Sequence, residues 1–236
     1  MITLGLDAAS VSVSAAVARD GELLGECFAR AGRNHSTVLL PMADAALRQA
    51  GLTAGDVDRI AVTVGPGSFT GVRIGAAAAK GLGQALGKPC AGVSTLLAAA
   101  RLLADRIRLI CCAMDARCGQ VYAALFATDG AQTTRQTPDT ALSLAALGQL
   151  LADPAYAGQP VLFAGDGAAL CLRALPHQPG WALAPDWLRF PRAFGAILAA
   201  ADTDYVPAAA LAAAYLRPSQ AERERAERKS AGKNDQ

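Results

Sequence analysis

The chain has 236 residues and is 53% hydrophobic, enough to bury a sizeable core as one large domain or two small ones. Its 22 basic and 20 acidic residues leave a formal net charge of +2, so nothing in the charge demands a nucleic acid or a membrane as partner. The six cysteines show no paired zinc spacing and read as reduced thiols, with neither disulfides nor a structural zinc site expected.

The chain opens on an apolar strand, Ile2 to Asp7, followed by a second strand near Val11 to Arg19, a turn at Asp20-Gly21 and a third strand, Glu22 to Ala29. This start has no basic region and meets Asp7 early, which argues against a secretory leader and for a cytoplasmic protein. Ser36 or Thr37 is the expected cap of a helix running to about Ala50. A strand over Arg59 to Val64 leads into GPGSFTGVRIG, Gly65 to Gly75, and a helix to about Leu86. Strand Pro89 to Val93 and a helix from Ser94 to Ala104 complete a βββαβαβα order. Ser94, Thr95 and Arg101 make the apolar stretch near Ala91 to Ala104 too polar to span a bilayer.

The pattern then begins again. Leu109 to Met114 reads as a strand ending in Asp115-Ala116-Arg117, a Gly119 turn leads into Gln120 to Ala127, and a weak strand is placed near Thr133 to Thr137. A helix over Leu142 to Leu151, strand Val161 to Ala164, the turn Gly165-Asp166-Gly167 and a helix over Ala168 to Ala174 follow. Asp7 and Asp115 occupy equivalent strand tips, so the chain reads as duplicated α/β lobes of the ribonuclease-H or actin-like ATPase kind. Arg192 to Ala201 and Ala208 to Leu216 both look helical, and Gln220 to Gln236 reads as a charged, solvated tail with an RNA-contacting arm as the sharper alternative.

Residues that do chemistry are scarce. The glycine loop fails the P-loop pattern, because Val72-Arg73 stand where Lys and Ser or Thr are needed, and it fails the dinucleotide spacing as well. His35 and His177 are the only histidines and do not pair on a helix. Asp7 and Asp115 are candidates for holding Mg²⁺ around a nucleotide, against a reading as strand-end caps. Ala8-Ala9-Ser10 stand where glycines would admit a phosphate. Gly71, Gly75, Ala79 and Gly83 recur every four residues and make a small-residue stripe suited to close approach by another helix, internal or external. Val38, Leu39, Met42, Ala43, Ala46 and Leu47 give the preceding helix a broad apolar sector, which places a shared outer face beside burial on the chain's own sheet as its two readings.

LGLDAAS, NHSTVLLP, GPGSFTGVRIG, GVSTLLA, AMDARCGQVYAALF and AYLRP, in that order along about Met1 to Pro218, resemble the TsaB family, also called YeaZ. The resemblance implies an actin-like ATPase (ASKHA) fold with an N-terminal lobe at 1–104, a C-terminal lobe at 105–219 whose last helix is free to pack back on the first, and a flexible tail at 220–236. It implies a non-catalytic subunit, without cofactor or metal, of the machinery that forms threonylcarbamoyladenosine in tRNA. Its partners would be a TsaD-like transferase and a TsaE-like P-loop ATPase, with a homodimer through the same helices and tRNA touched only indirectly. The helices matched are Ser36 to Ala50 and Val72 to Leu86, and the expected interface is His35, Leu39, Met42, Ala43, Ala46, Gly71, Arg73, Gly75, Ala76, Ala79, Lys80 and Gly83. The rival reading is a stand-alone actin-fold kinase or peptidase using ATP or a metal.

Overall fold

The computed structural model describes residues 1–30, 32, 34–105, 108–130 and 132–216, so the charged stretch at 220–236 lies outside the described residues. Three antiparallel strands come first, β1 (Ile2–Asp7), β2 (Val13–Arg19) and β3 (Glu22–Ala29). Asp20 and Gly21 both take positive φ between β2 and β3, which suits the twist of a two-residue hairpin. Then follow α1 (His35–Gln49), β4 (Arg59–Gly65), α2 (Phe69–Leu86), β5 (Cys90–Ser94) and α3 (Thr95–Arg101). The order within this five-stranded sheet is β3-β2-β1-β4-β5, with β1, β4 and β5 parallel.

The second half repeats the arrangement with β6 (Arg108–Arg117), β7 (Gln120–Thr128), β8 (Thr133–Arg135), β9 (Thr140–Ser143), α4 (Leu144–Leu151), β10 (Val161–Ala164), α5 (Ala168–Ala174) and β11 (Ala182–Leu183). Its sheet runs β11-β10-β6-β7-β8, with β9 pairing β7 off that path. Read from the third strand of each half, the two orders match, which is the duplicated actin-like α/β plan. Short α6 (Asp186–Arg189) and α7 (Ala193–Ala199) end the helices.

Alternation along the strands fixes which helix covers which face. Leu4, Leu6, Val13, Ala15 and Val17 bury one face of the first sheet under Leu39, Ala43 and Leu47 of α1 and Ala79 of α2. Each fully buried branched side chain there contributes about 1.5–3 kcal/mol. The opposite face carries Ala16, Ala18, Ala61 and Ala91, and α7 lies on it through Ala193, Ala196 and Ala199. The second sheet buries one face under α4 and α5 and the other under Leu96 and Ala99 of α3 and Leu103 of the turn that follows it. Helices α3 and α7 therefore form a shared layer between the sheets. The chain's many alanines go largely here, where short side chains let helix backbones come close to strands and to each other. A Cβ on Gly195 of α7 would lie 2.2 Å from the Ala98 carbonyl oxygen of α3.

Three local expectations are corrected. Helix α1 starts at His35 behind Asn34, so Ser36 and Thr37 are inside it, and Thr37 Oγ1 donates to the Asn34 carbonyl. Leu142 and Ser143 belong to β9, captured by pairing with β7, and Ser143 then caps α4 by accepting from the Ala146 amide. The alanine-rich run from Ala208 forms only one 3₁₀ turn, Ala208–Ala210, because tertiary partners outcompete helix propensity. Val206 pairs antiparallel with Cys90, Leu211 enters the first core, and the Ala214 amide donates to the Val64 carbonyl at 2.8 Å. Residues 206–215 thus strap the edge of the first sheet and the start of α2.

Candidate functional site

Strand tips from both halves meet between the sheets, and the glycine loop closes them off. Asp7, at the end of β1, is completely buried and accepts from Thr63 Oγ1 at 2.5 Å, while its second oxygen has no hydrogen-bond partner. Burial raises its pKa to about 6, against the lowering effect of the Thr63 and Ala9 donors, with Glu26 and Asp166 adding to the rise. Ser68 of the loop donates its amide to the Ala9 carbonyl at 2.8 Å. A Cβ would lie 2.2 Å from the Ala9 oxygen if placed on Gly67, and 2.0 Å from the Ala8 oxygen if placed on Gly71. The two glycines are needed for this approach, which brings the loop backbone directly against Ala8 and Ala9.

Asp115, matched to Asp7 in sequence, lies in a different setting. It is exposed, and its carboxylate accepts from the Arg117 amide at 2.7 Å. Its own amide donates to the carboxylate of Asp166 at 3.0 Å, and Asp166 is raised by burial. The paired-carboxylate reading therefore receives one buried and one solvated group, not a matched pair. Among the described residues, no three His, Cys, Asp or Glu side chains come together in a way that could hold a metal ion. His35 is buried at the start of α1 with Nε2 unpartnered, and burial lowers its pKa.

Helices α1 and α2 lie side by side on the outer face of the first sheet. The structure sorts the expected interface residues into two groups. His35, Leu39, Ala43 and Ala46 of α1, and Gly71, Gly75, Ala76, Ala79 and Gly83 of α2, are buried within this chain. They lie on the helices' inner side in this chain. Gly75 faces Val62 Cγ2, and a Cβ on Gly83 would meet Cys90 Sγ and Ala208 Cβ at 2.7 Å each. The small-residue stripe at 71, 75, 79 and 83 thus lets α2 sink onto its own strands. Met42 and Lys80 are half-buried and Arg73 is exposed, so these three remain available to a partner.

Outward, a second small-residue stripe was missed: Ala77, Gly81 and Ala85 are exposed at four-residue spacing, and nothing lies within 4 Å of a Cβ placed on Gly81. Beside it, Ile74, Ala78 and Leu82 of α2 and Val38 and Met42 of α1 are half-buried and rest on the first core. Leu40 is 46% exposed on α1. The outer sides of the two helices thus carry small and apolar residues beside the exposed Asp44–Arg48 ion pair of α1. Such a surface permits close backbone approach by a second helical layer.

Among the described residues no helix is long and apolar enough to cross a membrane. A family model described as "TsaD: tRNA N6-adenosine threonylcarbamoyltransferase" matches residues 29–215. A Bacillus subtilis protein named tRNA threonylcarbamoyladenosine biosynthesis protein TsaB is 32% identical over 170 residues, covering 72% of this chain and 73% of that protein. The Escherichia coli protein of the same name is 37% identical over 131 residues, 55% of this chain and 56% of that one. The solved structure of YeaZ from Pseudomonas aeruginosa superposes with a TM-score of 0.78 at 28% identity, covering 91% of this chain and 99% of that one.

Proposed function

We propose that the chain, which belongs to the TsaB family, also called YeaZ, and shares the TsaD family's model, is a non-catalytic subunit in the formation of threonylcarbamoyladenosine in tRNA. In this reading the outer face of α1 and α2 docks a TsaD-like transferase and holds it in its active arrangement, which requires only that the bound conformation be favoured. The junction so formed helps recruit a TsaE-like P-loop ATPase. A second copy of the chain competes for the same face, tRNA is touched only indirectly, and the setting is cytoplasmic. The lobe limits at 1–104 and 105–219 belong to the same proposal.

One observation carries this reading: the outward stripe of Ala77, Gly81 and Ala85 leaves an apolar helical surface open where a helix can approach closely. The packing of Gly67 and Gly71 onto Ala9 and Ala8 supports an accessory role, since it covers the start of the first hairpin with the chain's own backbone. The test is reconstitution with a TsaD-like transferase, a TsaE-like ATPase, threonylcarbamoyl-AMP and tRNA. Modified adenosine is expected only when this chain is added to the transferase, and none from the chain alone. Product formed by the chain without a transferase, or equal product without the chain, contradicts the reading.

A further inference from the structure

Helix α3 comes from the first half of the chain and buries Leu96 and Ala99 against the second sheet. Apolar contact of this kind has no direction, so it holds the helix down without fixing its position along the strands. A directional tie stands at the start of the helix. Ser94, the last residue of β5 and the cap of α3, uses its hydroxyl twice: the oxygen accepts from the Leu97 amide at 3.1 Å, and the proton is donated to Asp139 Oδ2 at 2.6 Å. Ser94 belongs to the first half, and Asp139, between β8 and β9, to the second. We propose that Asp139 is a clasp that holds the Ser94 cap from the opposite half, so that the entry of α3 into the layer between the sheets is set by the second sheet.

The carboxylate is presented by a stretch that β7 holds on both sides. The Gln136 amide donates to the Leu125 carbonyl at 2.9 Å, and the Leu125 amide donates to Thr137 Oγ1 at 2.8 Å. Thr140 then pairs with Ala123 as β9 begins. Arg135 pairs through Nη1 with Asp139 Oδ1 and donates to the Thr137 carbonyl at 3.3 Å. Its guanidinium also stands 4.8 Å from the centroid of the Phe126 ring of β7. Both oxygens of Asp139 therefore have a partner, and the cation beside them favours the charged form. A hydrogen bond to an ionised acceptor is about twice as strong as a neutral one. A hydroxyl that gives its proton to a carboxylate becomes a better acceptor in turn, so the clasp strengthens the bond to the Leu97 amide. Phe126 lies in the same buried cluster as Leu96 and Ala99, which places the polar tie beside the apolar one.

The test is amide hydrogen exchange on the full chain, read at Leu97 and compared with Leu4 and Ile110 on the central strands of the two sheets. In Asp139→Ala, Leu97 is expected to exchange about tenfold faster relative to those two amides, the scale of one hydrogen bond's net contribution. Asp139→Asn keeps an oxygen for the Ser94 proton and gives up the charge, so about a threefold rise is expected, and this variant carries the measurement if the alanine does not fold. Ser94→Ala removes the cap itself, and adding the Asp139 substitution to it is expected to change Leu97 no further. Unaltered exchange at Leu97 in a folded Asp139 variant, or a rise matched at Leu4 and Ile110, overturns the clasp. A further rise of the same size on the Ser94→Ala background overturns it as well, since Asp139 would then act by a route other than the cap.

Discussion

Arg73 donates from Nε to the hydroxyl of Tyr215 at 3.0 Å, joining the exposed start of α2 to a residue 142 positions further along the chain. The same guanidinium stands 3.8 Å from the centroid of the Phe69 ring, and the rings of Phe69 and Tyr215 are 4.9 Å apart. This stack fastens the end of the strap that crosses the glycine loop, so the local order at the head of α2 depends on residues from the far end of the described chain.

Tyr215→Ala removes ring and hydroxyl together and is expected to lower stability by about 1 kcal/mol in a urea titration, the scale of an exposed aromatic and cation–π contact. Tyr215→Phe keeps the ring and is expected to lose less than half of that. Equal losses would assign the contribution to the hydroxyl and contradict the stacking account.

Glycines on opposite sides of α2 should respond in opposite senses to alanine. Gly71→Ala places a Cβ 2.0 Å from the Ala8 oxygen, a clash with backbone, and is expected to cost about 3 kcal/mol or more. Gly81→Ala meets nothing within 4 Å and is expected to gain about 1 kcal/mol from helix propensity. Thermal melts of the two variants check the assignment of inner and outer stripes, and equal responses would undo it.

The carboxyl of Asp7 sets a pH dependence. Its pKa is about 6 in the folded chain against an ordinary value of 3.8, so the folded state holds the proton more tightly than the unfolded one. Stability from this group is full below about pH 4 and falls as pH rises through 6, where ionisation of the buried acid costs about 3 kcal/mol at 1.36 kcal/mol per unit. Asp7→Asn keeps an acceptor for Thr63 and removes the titration, so the fall in stability between pH 4 and 6 is expected to flatten. A fall of the same depth in the variant would place the titrating group elsewhere.

Much of this architecture was legible in the chain. The strands Ile2–Asp7, Glu22–Ala29 and Val161–Ala164 fall where alternation and turn residues place them, whereas the side-chain caps of α2 and α3 at Ser68 and Ser94 were not read from the chain. The orientation of α2 was not legible. Gly71, Gly75, Ala79 and Gly83 on one side and Ala77, Gly81 and Ala85 on another share the same spacing, and glycine and alanine differ too little in hydrophobicity to say which side is buried. The sheet decides, because Val62 and Cys90 need small residues above them. Pairings across long sequence distances were equally hidden. Nothing local to Asp166 foretells the Asp115 amide, and the stretch around the alanines after Pro207 is drawn from helix into a strap by Val206 on Cys90 and Ala214 on Val64.

The account rests on the outer face of α1 and α2 as the docking surface, and co-elution with a TsaD-like transferase tests it most directly. Ala77→Arg and Gly81→Arg each put a long cation on exposed positions of α2, and Ala157→Arg puts one on an exposed site in the second half as a control. All three are expected to melt within about 1 kcal/mol of the parent, as surface substitutions do. The two on α2 are expected to abolish co-elution, while the control retains it. Undiminished co-elution of folded Ala77→Arg and Gly81→Arg would contradict the account.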